Sequence, residues 1–188
     1  MNKKPDKIKI LGIDPGTQIM GYAILEYYFG HSKVEALGVI KLKKITDHQD
    51  KLREIFLQTQ ELIETYRPSE LAIEAPFYGK NIQSMLKLGR AQGVSIAAGI
   101  TMGLNITEYS PKKIKQSITG NGNASKEQVA AMLQNILSIK MENDYFDATD
   151  ALGVALCHLH QLSSMQAGSN KYSGWKAFLS DNPDKISK

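Results

Sequence analysis

Cysteine is almost missing. Cys157 is alone among 188 residues, so no disulfide can close within the chain, and a reducing compartment, the cytoplasm, is the expected setting. Long apolar runs are missing too: none approaches the ~20 residues a membrane helix needs, so no membrane association is expected. The opening MNKKPDKIKI is basic but leads straight into a strand-like run with no apolar signal core. There is no internal repeat. Near the candidate acids there is no cysteine, HxxxH or HxH cluster, which turns attention from zinc to harder cations. His158 and His160 do form an HxH, but two-apart residues on a helix point different ways, and core or surface roles suit them.

What is present fits a folded domain of ordinary size plus a tail. Hydrophobic residues make up 42% and charged residues 22%, which excludes a disordered or fibrous chain. The net charge of +4 is unevenly placed. The two ends are lysine-rich and the body is near neutral. Within the body, residues 80–126 carry seven basic side chains against one acid, Glu108. Such a stretch is either a solvated face or the footprint of a polyanion.

The β-branched run 7–14 ends in the turn signal Asp14-Pro15-Gly16. Residues 21–28 and 33–42 read as two further strands, joined by a hairpin turn at Gly30-His31-Ser32. Helical spacing of Leu52, Ile55, Phe56, Leu62 and Ile63 predicts a helix over 48–66. Short strands follow at 70–76 and 104–110, separated by an apolar helix over 81–103. Three helices close the order: 111–120, with proline in its first turn; one capped by Ser125, with Gln128 in capping-box spacing; and 144–162. This order implies an α/β fold. Its mixed five-stranded sheet combines a three-strand antiparallel meander with two parallel strands and has helices on both faces. Residues 1–162 are expected to form the domain, and 163–188 a mobile polar and basic tail.

Four acids stand out. Asp14 closes the first strand, and Glu74 sits near the end of the fourth, inside the apolar string Leu71-Ala72-Ile73. If those strands are neighbours, both carboxylates meet at one sheet edge. Asp147 and Asp150, three apart on the last helix, share a face rich in alanine and glycine. Asp147 could equally cap that helix. Four carboxylates in one cleft repel one another, and divalent cations relieve that. Hard oxygen ligands favour Mg²⁺ or Mn²⁺, and two such ions ~4 Å apart can activate water and stabilise a leaving oxygen.

The strings ILGIDPGTQIMGYAIL, LAIEAPFYGKNIQSMLKLGRAQGV, YSPKKIKQSITGNGNASKEQV and DATDALGVALCH together resemble the RuvC family of Holliday-junction resolvases, in its order and spacing, from about Ile8 to His160. The resemblance implies a ribonuclease H-like fold and a Mg²⁺-dependent homodimer that nicks two opposing strands of a four-way DNA junction. It also implies work alongside the RuvA–RuvB branch-migration complex. It makes Asp14, Glu74, Asp147 and Asp150 the catalytic, metal-binding acids. It makes Phe77 an aromatic that meets junction bases, and Lys115 and Lys126 basic residues of the active site and DNA contact. Lys80, in the polar run after Phe77, joins these as an expected DNA contact.

Other readings stay open at this point. Gly12-x-Asp14-x-Gly16-Thr17 followed by Gly21 resembles the first phosphate loop of actin-like ATPases and sugar kinases, although no second glycine-rich loop follows. A ribonuclease H-type enzyme acting on RNA–DNA hybrids and a junction-binding protein without chemistry are the other two. The helix over 81–103 carries apolar residues nearly all round, with small residues at Gly89, Ala91, Gly93, Ser95 and Ala97. Only Lys87, Arg90 and Gln92 leave a polar strip, so part of this helix is expected to form a two-fold dimer interface.

Overall fold

A computed structural model describes residues 7–76, 81–140 and 146–168. The elements run β1 (Lys7–Asp14), β2 (Ile19–Tyr28), β3 (His31–Lys41), α1 (His48–Tyr66), β4 (Glu70–Glu74), α2 (Ile82–Thr101), β5 (Asn105–Tyr109), α3 (Pro111–Thr119), α4 (Lys126–Leu137) and α5 (Phe146–Gly168). The sheet order is β3-β2-β1-β4-β5. β1 pairs antiparallel with β2 and parallel with β4, so the meander and the parallel half share β1 as their hinge strand. The mixed sheet expected from the order of elements is therefore the one observed.

Strand periodicity divides the core in two. Ile8, Ile10 and Ala72 point to the face covered by α3, α4 and α5, where Leu133, Leu152, Val154 and Leu156 fill the space. Leu11, Ile13, Leu71 and Ile73 point to the opposite face and pack against Ile55, Leu62 and Ile63 of α1 and Ala91 of α2. β1 and β4 are apolar on both faces because they lie inside the sheet with helices on each side. Among the described residues, no helix is long and apolar enough to cross a membrane.

The helix ends follow their local chemistry. Asp47 caps α1 through Gln49 and Asp50 N–H, and Ser110 caps α3 ahead of Pro111. Ser125 and Gln128 form the reciprocal capping box of α4.

Four details differ from the sequence expectation. The hairpin turns at Phe29 and Gly30, not Gly30-His31-Ser32: Tyr28 pairs with His31, and both turn residues have positive φ, 44° and 92°. That is the tight two-residue turn whose twist suits the strands, with a phenylalanine where asparagine is usual. α2 stops at Thr101, where Met102 and Gly103 turn the chain back into β5. α5 runs past Leu162 to Gly168, because no glycine or proline lies between those two residues. The remainder of the expected tail, 169–188, lies outside the described residues. Gln92, expected on the polar strip of α2, is buried: the sheet-facing side is Ala91, Gln92, Ser95, Ala98 and Gly99.

Candidate active site

β1 and β4 run in parallel, with Ile13 opposite Ile73. One residue further along, Asp14 and Glu74 leave the ends of adjacent strands side by side. Each shares strand parity with a residue facing α5, Gly12 for Asp14 and Ala72 for Glu74. The third acid arrives on α5, and two glycines decide how close that helix comes. A Cβ on Gly12 would run into the Ala151 carbonyl and stand 2.9 Å from Ala155 Cβ. A Cβ on Gly21 would run into the Asp147 carbonyl. Two of the three glycines that resemble a phosphate loop, Gly12 and Gly21, are thus used against the backbone of α5, while Gly16 closes against the Ile19 carbonyl of β2; the first turns of α5 rest directly on β1 and β2.

Asp14, Glu74 and Asp150 line one open cavity of about 600 Å³. Its rim carries Lys112, Lys115 and Lys126; Pro111, Ile114, Val129 and Gly153 form apolar parts of its wall, and Gly122 and Asn123 complete it. Asp147 is not part of this lining. Its negative charge nevertheless reaches Asp14 and Lys126, consistent with a place at the edge of the cluster. Lys115 acts on Glu74 from the opposite direction, favouring its ionised form. Phe77 and Lys80 lie outside the described residues.

The electrostatics are those of acids placed too close together. Burial, then the charge of Asp150, pushes the Asp14 carboxyl up to about 7, against the opposing Lys126 ammonium. Burial, then Asp14 and Asp150, pushes Glu74 up to about 8. Lys126 Nζ donates to Asp150 Oδ2 at 2.5 Å, and that bond holds the ammonium above its ordinary range. Among the described residues, no three histidine, cysteine, aspartate or glutamate side chains stand close enough together to hold a metal ion as they are placed. The donor set nevertheless suits a hard cation: three carboxylates face one cavity, two of them resist ionisation, and the third already holds a positive charge borrowed from α4.

The supports of these acids were less visible in the sequence. Gln92 Nε2 donates to Glu108 Oε2 at 2.6 Å and approaches the Glu74 carbonyl at 3.4 Å, so α2 steadies the end of β4. The buried Lys51 donates to the Thr17 carbonyl at 2.9 Å, and Leu42 N–H donates to the Gln18 carbonyl at 2.9 Å; together they fasten the turn after Asp14. His158 and His160 are apart from the acids. His158 is buried with Nδ1 2.8 Å from the Tyr109 hydroxyl and Nε2 3.5 Å from Glu70, and burial favours its neutral form. His160 Nδ1 lies 3.2 Å from Ser117 Oγ. Tyr109 is core, and Tyr22 packs half-buried at the edge of the second cluster.

Known proteins match this architecture along most of its length. The family model described as "Crossover junction endodeoxyribonuclease RuvC" matches residues 10–158. A protein of that name from Cytophaga hutchinsonii is 54% identical over 98% of this chain and 90% of its own length. One from Bacteroides fragilis is 53% identical over 97% of this chain and 98% of its own. Among solved structures, Thermus thermophilus RuvC in complex with a Holliday junction substrate superposes with a TM-score of 0.78 at 27% identity, covering 85% of this chain and 96% of that one. The yeast mitochondrial Holliday junction resolvase Ydc2 shares the fold, with a TM-score of 0.70 at 16% identity over 90% of this chain and 84% of that one.

Proposed function

This chain belongs to the RuvC family of crossover junction endodeoxyribonucleases, and from that premise we propose that it resolves four-way DNA junctions by hydrolysing one phosphodiester in each of two opposing strands. The observation that carries this reading is the gathering of Asp14, Glu74 and Asp150 beneath a rim of Lys112, Lys115 and Lys126 on one open cavity. The rim supplies attraction for a phosphodiester, and the acids supply a place for the cations that hydrolysis needs.

In this reading Asp14, Glu74, Asp147 and Asp150 hold divalent metal, two Mg²⁺ per site, with Mn²⁺ able to substitute. Bound there, such ions would supply the Lewis acidity that activates water and neutralises charge on a leaving oxygen in an in-line displacement without a covalent intermediate. The protein's own groups do the rest. Lys112 and Lys115 hold the phosphate backbone at the rim. Lys126, paired with Asp150 on the same cavity, is the third ammonium that would face the scissile phosphate. Gln92 keeps Glu74 in place, and Lys51 keeps the turn after Asp14 from swinging into the cavity. Phe77 stacks on unpaired junction bases and Lys80 follows the backbone, both on the strength of the family resemblance.

The working unit is a homodimer built on α2. Ile82, Leu86 and Ile100 are 65%, 51% and 60% exposed, and they lie on one outward stripe with Gly89, Gly93 and Ala97. Among the described residues, nothing outside the helix's own backbone stands within 4 Å of where a side chain on Gly89 or Gly93 would begin, so a second backbone can come close. A self-complementary stripe of this kind closes as a two-fold pair and presents two cutting sites to a junction of near two-fold symmetry. Cooperation with RuvA–RuvB and a cytoplasmic setting belong to the same proposal, resting on family membership and the lone cysteine.

The deciding experiment offers the protein a synthetic four-way junction and a matched linear duplex, each with and without Mg²⁺. Paired nicks in the junction alone, only with Mg²⁺, are expected. Equal cutting of both substrates, or of neither, overturns the reading.

A further inference from the structure

The loop between α3 and α4 walls one side of the cavity, and it is held more firmly than an exposed turn requires. Gln116, an exposed side chain on α3, commits both ends of its carboxamide to it. Its Nε2 donates to the Gly120 carbonyl at 2.6 Å, and its Oε1 accepts from Gly122 N–H at 3.0 Å. Thr119 Oγ1 accepts from Asn121 N–H at 3.1 Å, and Asn121 Oδ1 accepts from Asn123 N–H at 3.0 Å. Gly122 lies on the stem of Lys112, where a Cβ would come within 2.8 Å of Lys112 Cγ. A six-residue connection rich in glycine and asparagine, left to itself, samples many conformations; here Ala124 is also buried in the core. This one is fixed by the side chains of Gln116, Thr119 and Asn121, which bond its backbone, and Thr119 Oγ1 is itself anchored to the Lys115 carbonyl of α3 at 2.9 Å.

One side chain of the loop is left over. Asn123 is exposed and lines the cavity, and its carboxamide has no partner among the described residues. Every other hydrogen-bonding side chain in that lining is charged: Asp14, Glu74, Asp150 and the three lysines. Charges hold any phosphodiester and do not tell one nucleotide from another. A carboxamide sets a donor beside an acceptor, the pattern that pairs at two points with a base edge.

We propose that Asn123 reads a base beside the scissile phosphate and determines sequence preference, and that Gln116 is the positioning residue that aims it. The proposal rests on the cavity being the cutting site. The test is single-turnover cleavage of a set of four-way junctions carrying each of the four bases at the positions flanking the nick. The proteins compared are wild type, Asn123→Ala, Gln116→Met, the double variant and Lys115→Ala.

Asn123→Ala should reduce the ratio between best and worst sequence by about 5- to 150-fold, the discrimination one good two-point contact provides. Gln116→Met should flatten the same positions, and the double variant should be no flatter than Asn123→Ala, because both act through one contact. Lys115→Ala should slow all sequences alike. An unchanged ratio in Asn123→Ala overturns the proposal. So does a Gln116→Met that slows every sequence equally, or effects of the two substitutions that multiply. Wild-type protein that cuts no junction would instead overturn the reading of the site itself, and this proposal with it.

Discussion

Removing Asp14 from the crowded cluster of acids should make the metal-free protein more stable. Asp14 ionises near its ordinary 3.8 when unfolded but is pushed up to about 7 in the folded chain, by burial first and by Asp150 next. Between those values the folded state holds a proton that the unfolded chain has released. Stability therefore falls as pH rises from about 4 through about 7. At about 1.4 kcal/mol per unit, the upper limit for this one group is about 4 kcal/mol once the pH is well above 7. Lys126 offsets part of that strain, and Asp14→Asn also eases Glu74, which shares the repulsion. A net gain of about 1–3 kcal/mol at pH ~8.5 follows, or roughly 3–8 °C in Tm for a domain of this size. Thermal melts of wild type and Asp14→Asn in EDTA, at about pH 5 and about pH 8.5, measure it. The variant's advantage should be small at the lower pH and grow at the higher. Mg²⁺ should then close the gap by raising the wild type alone, since only it offers the full set of ligands. A variant that melts at or below wild type at the higher pH, or a gap independent of pH, refutes the reasoning.

Glu74→Gln and Asp150→Asn should lower junction cleavage by at least about 100-fold, the upper end of what even outer-sphere partners of a metal cost, while gel-shift affinity for the junction changes little. Lys115→Ala should weaken binding to all sequences alike and reduce the slope of log K against log salt by about 1. Ala97→Glu places a charge at the middle of the outward stripe of α2. Sedimentation should then show a monomer, and paired nicking should be lost while the melting temperature stays near that of wild type.

Where local chemistry decides the structure, the sequence was readable. Ser110 before Pro111 and the Ser125–Gln128 pair mark helix starts because they satisfy backbone N–H groups that nothing else can reach. Asp150 stood out because a carboxylate inside an alanine- and glycine-rich helix has no local partner to explain it. Long-range choices were not readable. α2 is apolar nearly all round, so its pattern does not say which side meets the sheet, and Gln92 turned inward to Glu108 and the end of β4. Phe29 conceals the hairpin turn because a bulky residue is a poor signal for positive φ. The Gln116 clamp left only a weak trace, a loop of glycine and asparagine between two capped helices, and its partners are backbone groups that carry no sequence signature.

The two glycines beneath α5 have a mechanical consequence. A helix spaced from a sheet by leucine and isoleucine side chains rides on flexible spacers, and its distance drifts as those side chains change rotamer. At Gly12 and Gly21 there is no spacer: helix backbone bears on strand backbone, which has no rotamers to change. The gap between the strand that carries Asp14 and the helix that carries Asp150 is therefore stiff, whatever happens deeper in the core. Swapping Leu133 or Leu152 for another aliphatic residue should soften the domain yet leave metal affinity nearly untouched, whereas the single methyl group of Gly21→Ala acts as a wedge that lifts the carboxylate-bearing turn off its seat.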